Sequence, residues 1–551
     1  MRRDKNNPKI RHGENEHRRK SFGQGIKAGS FQEFINPKKA QIKDISLSNK
    51  GDGFSITASV DKIMQTGGPT VFYVSDGTGT LALKAFEKAG MRAYPEVDIG
   101  DAVIANIIVE EYNDGLEGDV KKIIKLNDKE KEEFNKNLEK LERERAKVEP
   151  VPFLVKSPIL EKLKDSFIKA ATEIRLAIFQ NRPIIIRHHN DTDGYSSGFA
   201  LERAILPLVV AQHSSSVKAA WEFYTRAPCA APMYEIDDSI RDTSHSLANV
   251  AKFSNKLPLV LVVDTGSGEE SLLGIKQGRV HGLNFIVVDH HRFEEDLVSG
   301  ETLAHINPFL VGEDGAKFSA GMLCTELARF INPVENIIQI PAMAGMADRI
   351  DNPEVMEAYI ALAAKKGYNK KLLGDISSVI DFISSKLRFM EAREYIEVLF
   401  GEPMEQQKKL VSLLAPYIKD LVDKSLKISE SAAKSEKIKD VTLQTLEVEK
   451  VFPRGFYPKP GICINALHDS VQEKKNLDKV VTLGILSDAI TMRATDKSNF
   501  SVQDVIKYLN KEVPEAFVEG GGHKNAGSVR FIPMKQGDVL EAIKEFIKKN
   551  N

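Results

Sequence analysis

The chain has 551 residues, enough for three or four domains at roughly 150 residues each. Hydrophobic residues at 42% and charged residues at 28% fit a soluble protein with real cores, and the sequence has no run of about 18 apolar residues to span a membrane. The N-terminus lacks the apolar stretch of an export signal, and Cys229, Cys324 and Cys463 are too dispersed for a disulfide framework or a cysteine zinc site, so a reducing cytoplasm is expected.

The net charge of −1 hides an asymmetry. Residues 1–30 carry nine Lys/Arg against three acids, a net +6, which leaves −7 for the remainder. Such a basic tail either tethers phosphate polyanions or is a solvated leader. Residues 36–126 look β-rich. Apolar runs at Phe54–Val60, Val71–Val74, Leu81–Ala85 and Ala102–Val109 alternate with glycine-rich turns, predicting about five strands in a small barrel or sandwich. Between 128 and 149, 15 of 22 residues are charged, and Phe134, Leu138 and Leu141 form one narrow apolar stripe. A charged helical linker over 128–150 is expected.

Residues 153–352 have an α/β pattern. The apolar runs Pro183–Arg187, Leu259–Val263 and Asn284–Val288 have the continuous hydrophobicity of parallel strands buried on both faces. A helical connector is expected at 353–438, with stripes around Ile360–Ala364, Val379–Leu387 and Leu410–Leu426. Residues 440–551 return to mixed α/β, with strands expected near Ile462–Leu467, Val480–Leu486, Ala489–Ala494 and Ser528–Ile532.

The three apolar runs of the middle segment all end in acids and histidines. The first leads into His188-His189-Asn190-Asp191-Thr192-Asp193-Gly194, the second into Asp264-Thr265-Gly266, and the third into Asp289-His290-His291. The carboxyl ends of parallel strands form one crevice, so these groups converge although they are distant in sequence. One Asp after a strand can simply cap the next helix. Three strands ending in Asp and His point instead to a metal site. Its ligand types suit Mn²⁺ or Mg²⁺, and several carboxylates can hold two ions. No Walker-type loop accompanies these strands, so nucleotide-driven work is not indicated.

Five pieces in order now carry a resemblance: His189–Gly194, Asp264, Asp289–His291, Asp348 in Ala344-Gly345-Met346-Ala347-Asp348, and Gly520-Gly521-Gly522-His523-Lys524-Asn525-Ala526-Gly527. Together they resemble the DHH-family phosphoesterases, in the RecJ-like archaeal style, over residues 183–531. The resemblance implies that Asp191 and Asp193 each ligate one metal, Asp264 bridges two, and His290 and Asp348 complete the pair. His291 would lie beside the scissile phosphate, with Asp289 supporting the histidines. Either His188 or His189 would reach the metal; Arg187 occupies the position where several relatives carry a histidine. Gly521, Gly522, His523 and Arg493 resemble the phosphate-gripping parts of a C-terminal substrate domain at 440–551. The segment Thr66–Gly79 resembles the early strands of a nucleic-acid-binding OB fold, with Phe72, Tyr73 and Phe86 as stacking candidates; neighbours 72 and 73 face opposite sides of a strand.

The resemblance implies an exonuclease acting on single-stranded DNA or RNA with two Mn²⁺ or Mg²⁺ ions, and a replication or repair complex is the partner it points to. A phosphodiesterase for short oligonucleotides or cyclic dinucleotides is one alternative. A non-catalytic replication scaffold is another, disfavoured because all the expected ligands are present.

Overall fold

The computed structural model describes residues 37–112, 115–213, 218–253, 256–387 and 393–551; the basic tail at 1–30 lies outside them. The architecture is the expected one: an N-terminal β-barrel, a parallel α/β layer structure, a helical region and a C-terminal mixed sheet.

The barrel strands are Gly53–Gln65, Thr70–Ser75, Thr80–Ala85, Ala102–Tyr112 and Gly115–Lys125. Closure comes from the long first strand, which pairs with both the second and the fourth. Alternation decides which side chains face in. Phe54, Ile56, Ala58 and Val60 fill the core with Phe72, Val74, Leu81 and Leu83. Phe72 is therefore a core residue, while Tyr73 faces out beneath Lys62, 5.5 Å from its ring centroid. Phe86 is 66% exposed.

The charged helix Asp128–Ala146 begins at a capping box, Asn127 with Glu130. Its Leu138 and Leu141 lie against Gly77 of the barrel, where a side chain would collide with them. Arg145 donates to the Gly77 carbonyl and lies 4.1 Å over the Phe179 ring. The helix thus acts as a strut between the barrel and the α/β unit. Further ties join the two: Asn181 Nδ2 donates to Asp61 Oδ2 (2.8 Å), Lys62 pairs with Glu222 (2.6 Å), and Thr80 Oγ1 donates to the Gln212 carbonyl (2.7 Å).

The middle sheet is parallel throughout. Its order is Ala304–Ile306, Asn284–Val288, Leu259–Val263, Ile184–His188, Tyr224–Pro228. Leu259, Leu261 and Val263 enter the core on one face, and Val260 and Val262 the core on the other. Burial on both faces explains why the strand reads as an uninterrupted apolar run. The short strands Tyr224–Pro228 and Ala304–Ile306 gave no such signal, because each is a sheet edge.

In the C-terminal sheet the order is Lys434–Ile438, Val441–Glu447, Val480–Ile485, Ala489–Ala494, Ala526–Arg530, Glu519–His523. One expected strand is a helix: Ile462–Leu467 lies within Pro460–Lys475. Pro460 opens that helix, and Cys463, Ile464, Leu467 and Val471 fall on one buried face at helical spacing, a pattern that outweighs the local β-branched run.

Candidate metal centre

Strand register builds the site. His188 pairs with Val263, and Val263 with Val288, so His189, Asp264 and Asp289 each begin one residue past the same level of the sheet. Asp264 has a left-handed backbone, φ 58°, a conformation costly for a non-glycine residue and concentrated at functional sites. Its N–H donates to the Val288 carbonyl (2.9 Å), holding the strand ends together.

Two sets of ligand-type atoms meet at Asp264. On one side, His189 Nδ1 lies 2.9 Å from Asp191 Oδ2 and 3.6 Å from Asp264 Oδ2. On the other, His290 Nε2 lies 3.1 Å from Asp348 Oδ2, 3.4 Å from Asp264 Oδ1 and 3.7 Å from Asp193 Oδ2. The His189–Asp191–Asp264 and Asp193–Asp264–His290 sets each fit within 4.8 Å. Asp264 Oδ2 and His290 Nε2 are buried without a hydrogen bond of proper geometry. His290 Nδ1 faces the Gly315 carbonyl at 3.2 Å; a carbonyl only accepts, so Nδ1 carries a proton and Nε2 is the nitrogen that faces the acids. This donor set of carboxylates and imidazoles fits divalent cations.

The acids are held from behind. Asp193, fully buried, accepts from Ala320 N (2.9 Å) and Gly321 N (2.9 Å) at the N-terminus of the helix Ala320–Ile331. A Cβ at Gly321 would stand 2.8 Å from Asp193 Oδ1. Burial and the neighbouring Asp264 and Asp348 charges hold the Asp193 pKa well above the usual carboxylate range. Burial opposes a charged His290, yet the Asp264 and Asp348 carboxylates that face its Nε2 raise its pKa well above that of a free imidazole. Like charges this close favour shared protons or bound cations.

Asp289 lies within 4.8 Å of Asp264 and His291, but its oxygens are taken up by hydrogen bonds. It accepts from Ser267 N (3.0 Å), His290 N (2.8 Å) and His291 Nδ1 (2.8 Å), so it orients the two histidines. Burial opposes its charge, but His291 outweighs burial and holds the Asp289 pKa well below normal. His291 is in turn raised by Asp289 against its own burial. His188 points away from the cluster. Its Nδ1 bonds the His189 carbonyl (2.7 Å), its ring packs edge-on to Tyr195, and burial brings its pKa down to about 3. Arg187 is engaged by Asp242 through two nitrogens.

The C-terminal unit closes one side. Arg493, Ala526 and His523 form one row across three strands. The His523 ring stacks on His291, centroids 4.8 Å apart, and lies 5.0 Å from His290. Arg493 donates to Asn465 Oδ1 (3.2 Å) and the Met492 carbonyl (2.8 Å); burial, and then Arg349, bring its pKa down to about 10. The glycines of this region first serve strand packing: a Cβ at Gly522, φ 135°, would stand 2.4 Å from the Ala526 carbonyl oxygen. Gly521 faces Met233 of the α/β unit, 3.0 Å from where its Cβ would be.

Several supporting groups carried no sequence signal. Asp381, in the helix Lys370–Leu387, accepts from Thr192 N (3.0 Å) and Thr192 Oγ1 (2.8 Å). Lys459 Nζ donates to the Asn190 carbonyl (2.7 Å) and lies 3.2 Å from Ser384 Oγ. Both grip the loop that bears Asp191 and Asp193, but they lie some 190 to 270 residues away in sequence.

No protein-family model matches the chain. The uncharacterized protein MJ1198 of Methanocaldococcus jannaschii is 36% identical over 544 residues, which span 92% of this chain and 71% of that protein. A solved structure described as the DHH domain of PF0399, a member of the s1p family of ribosomal proteins, superposes with a TM-score of 0.72 at 36% identity, covering 77% of this chain and 100% of that one. The exonuclease RecJ bound to manganese aligns with a TM-score of 0.48 at 15% identity, over 72% of this chain and 96% of that one. With 36% identity over the whole of a solved DHH domain, and Asp289-His290-His291 at the strand end where the histidines meet the acids, the chain belongs to the DHH-domain proteins.

Proposed function

We propose that the protein is a metal-dependent phosphodiesterase, an exonuclease that hydrolyses single-stranded DNA or RNA using two Mn²⁺ or Mg²⁺ ions. The observation that carries this is Asp264, whose two carboxylate oxygens address two separate ligand sets. His189, Asp191 and Asp264 would hold one ion, and Asp193, Asp264, His290 and Asp348 the other. Bound divalent ions supply a polarised phosphoryl oxygen and an acidified water.

The chain's own groups do the rest. Asp289 fixes His291 with Nδ1 occupied, so Nε2 is the nitrogen turned to the reacting group, suited to give a proton to the leaving oxygen. Arg493 and His523, on one row of the C-terminal sheet, would grip phosphate oxygens of the strand. The N-terminal barrel supports a polymer substrate, since hydrolysis of a small diester has little need of one.

One observation favours the short-substrate reading. On the barrel's outer face Lys62 pairs with Glu222 and Lys84 with Glu117, so these lysines are not free cations for a phosphate backbone. Digestion of end-labelled single-stranded DNA and RNA with Mn²⁺, beside a dinucleotide and a cyclic dinucleotide, tests both. Processive shortening of the long strand is expected. Turnover of the dinucleotides alone would select the short-substrate reading, and full activity in excess EDTA would remove the two-metal reading altogether.

A further inference from the structure

Beside the carboxylate clusters, one group of three imidazoles spans the two units. His290 and His291 follow the catalytic strand Asn284–Val288, whereas His523 ends the strand Glu519–His523 of the C-terminal sheet. One ring nitrogen from each lies within 4.8 Å of the other two. The Nδ1 atoms of His290 and His291 are committed to the Gly315 carbonyl and to Asp289, which leaves Nε2 on both. His290 is 1% exposed, and its Nε2 has no hydrogen-bond partner. The His291 and His523 rings are already nearly parallel, 20° apart.

We propose that His290, His291 and His523 form an imidazole-only site for a borderline-soft divalent cation, Zn²⁺ foremost, which staples the C-terminal unit to the catalytic sheet. Three imidazole nitrogens favour Zn²⁺ over Mg²⁺, because imidazole is a poor ligand for the harder ion, and the carboxylates 3.1–3.7 Å from His290 Nε2 compete for that one ring. Zinc bonds of about 2.0–2.1 Å place tetrahedral nitrogens roughly 3.4 Å apart, so ring movements on the order of 1 Å would close the set. A fourth position stays open to water or a phosphate oxygen. Asp289 and the Gly315 carbonyl are the outer partners that zinc-ligating histidines ordinarily have. Because His290 also serves the Asp193–Asp264–Asp348 cluster, Zn²⁺ here draws that imidazole away from the second catalytic position. Zn²⁺ is therefore an inhibitor acting through unit closure.

The test uses the full chain and Zn²⁺ itself, in buffer saturated with Mg²⁺. Calorimetric titration should give tight Zn²⁺ binding to the wild type and binding weaker by about tenfold or more in His523→Gln. Zinc X-ray absorption should count three imidazoles in the wild type and two in the variant. Amide exchange over Glu519–Arg530 should slow on adding Zn²⁺ only in the wild type. Asp348→Asn, which leaves all three imidazoles in place, should retain the site, and it serves as the reporter if His523→Gln does not fold. Equal Zn²⁺ affinity in wild type and His523→Gln, or a zinc shell of carboxylate oxygens in the wild type or in Asp348→Asn, would overturn the proposal. These readouts need no hydrolysis, so they stand apart from the activity proposed above.

Discussion

Replacing Asp264 by Asn discriminates a shared carboxylate from two independent sites. Asp264 contacts His189 through Oδ2 and His290 through Oδ1, whereas Asp191 touches only the first set and Asp348 only the second. An ion present at 100 times its dissociation constant stabilises the fold by about 2.7 kcal/mol, so two ions contribute about 5 kcal/mol. For a unit of this size each kcal/mol moves the midpoint by about 2–4 °C, which gives the wild type a Mn²⁺-dependent rise of roughly 10–20 °C over EDTA. Asp264→Asn is expected to lose nearly all of that rise. Asp191→Asn and Asp348→Asn should each keep about half. Differential scanning calorimetry with and without Mn²⁺ reads all three. An Asp264→Asn protein with the wild-type shift would refute the bridging role.

His291→Ala should slow turnover by about 10²–10⁴-fold while Mn²⁺ affinity by calorimetry changes little; equal collapse of both would make His291 a ligand. Lys459→Met releases the Asn190 carbonyl from behind the metal loop and should weaken Mn²⁺ binding about tenfold, with Lys459→Arg restoring part of it; unchanged affinity would leave Lys459 a purely structural contact. Glu142, 6% exposed, has its pKa pushed up to about 7 from 4.5 by burial, so its favourable contribution is complete below about 4.5 and is lost as pH rises through about 7. Glu142→Gln should accordingly stabilise the protein more at pH 8.5 than at pH 5, by at most about 3 kcal/mol in thermal melts, and identical shifts at both pH values would contradict the buried-carboxyl cause. Tyr73→Ala with Phe86→Ala should weaken binding of a long single strand by about 1–3 kcal/mol per lost base stack in anisotropy titrations, and no loss would assign the barrel to another partner.

The parts of the site that lie on one strand end were legible because the sheet imposes its own rule. An apolar run buried on both faces ends where the polar crevice begins, so Asp191, Asp264 and Asp289–His291 marked themselves. Asp348 follows the helix Ile340–Ala347 and carried no strand signal; the family resemblance alone pointed to it. The choice between His188 and His189 was invisible in sequence because both sit at the same strand end. Alternation decides it: His188 is still within the strand and turns into the core against Tyr195, and His189 is the first residue free of it. Asp381 and Lys459 were beyond reach for a different reason. Their partners are backbone groups, which every residue offers, and the hydroxyls of Thr192 and Ser384, which carry no charge to match, so no pairing of side-chain types betrays the contact. The helix Pro460–Lys475 was misread because five apolar residues in a six-residue window satisfy either period until Pro460 and Val471 are included.

The buttressing contacts explain why the metal loop depends on chain so far away. Asp193 and Asp264 are at most 1% exposed beside a nearly buried His290, an arrangement that is unfavourable without cations because like charges are desolvated together. Left to itself, a loop between strand and helix would relax by swinging Asp191 toward water. Asp381 prevents this by binding the Thr192 N–H and hydroxyl, and Lys459 by binding the Asn190 carbonyl, so both flanks of Asp191 are fixed. Lys459 immediately precedes the helix Pro460–Lys475, which packs on the strands Val480–Ile485 and Ala489–Ala494 of the C-terminal sheet, and the latter strand carries Arg493. The row that carries Arg493 and His523 and the loop that carries the first acids are therefore coupled through one helix, packed on the C-terminal sheet and tied to Asn190 by the Lys459 hydrogen bond.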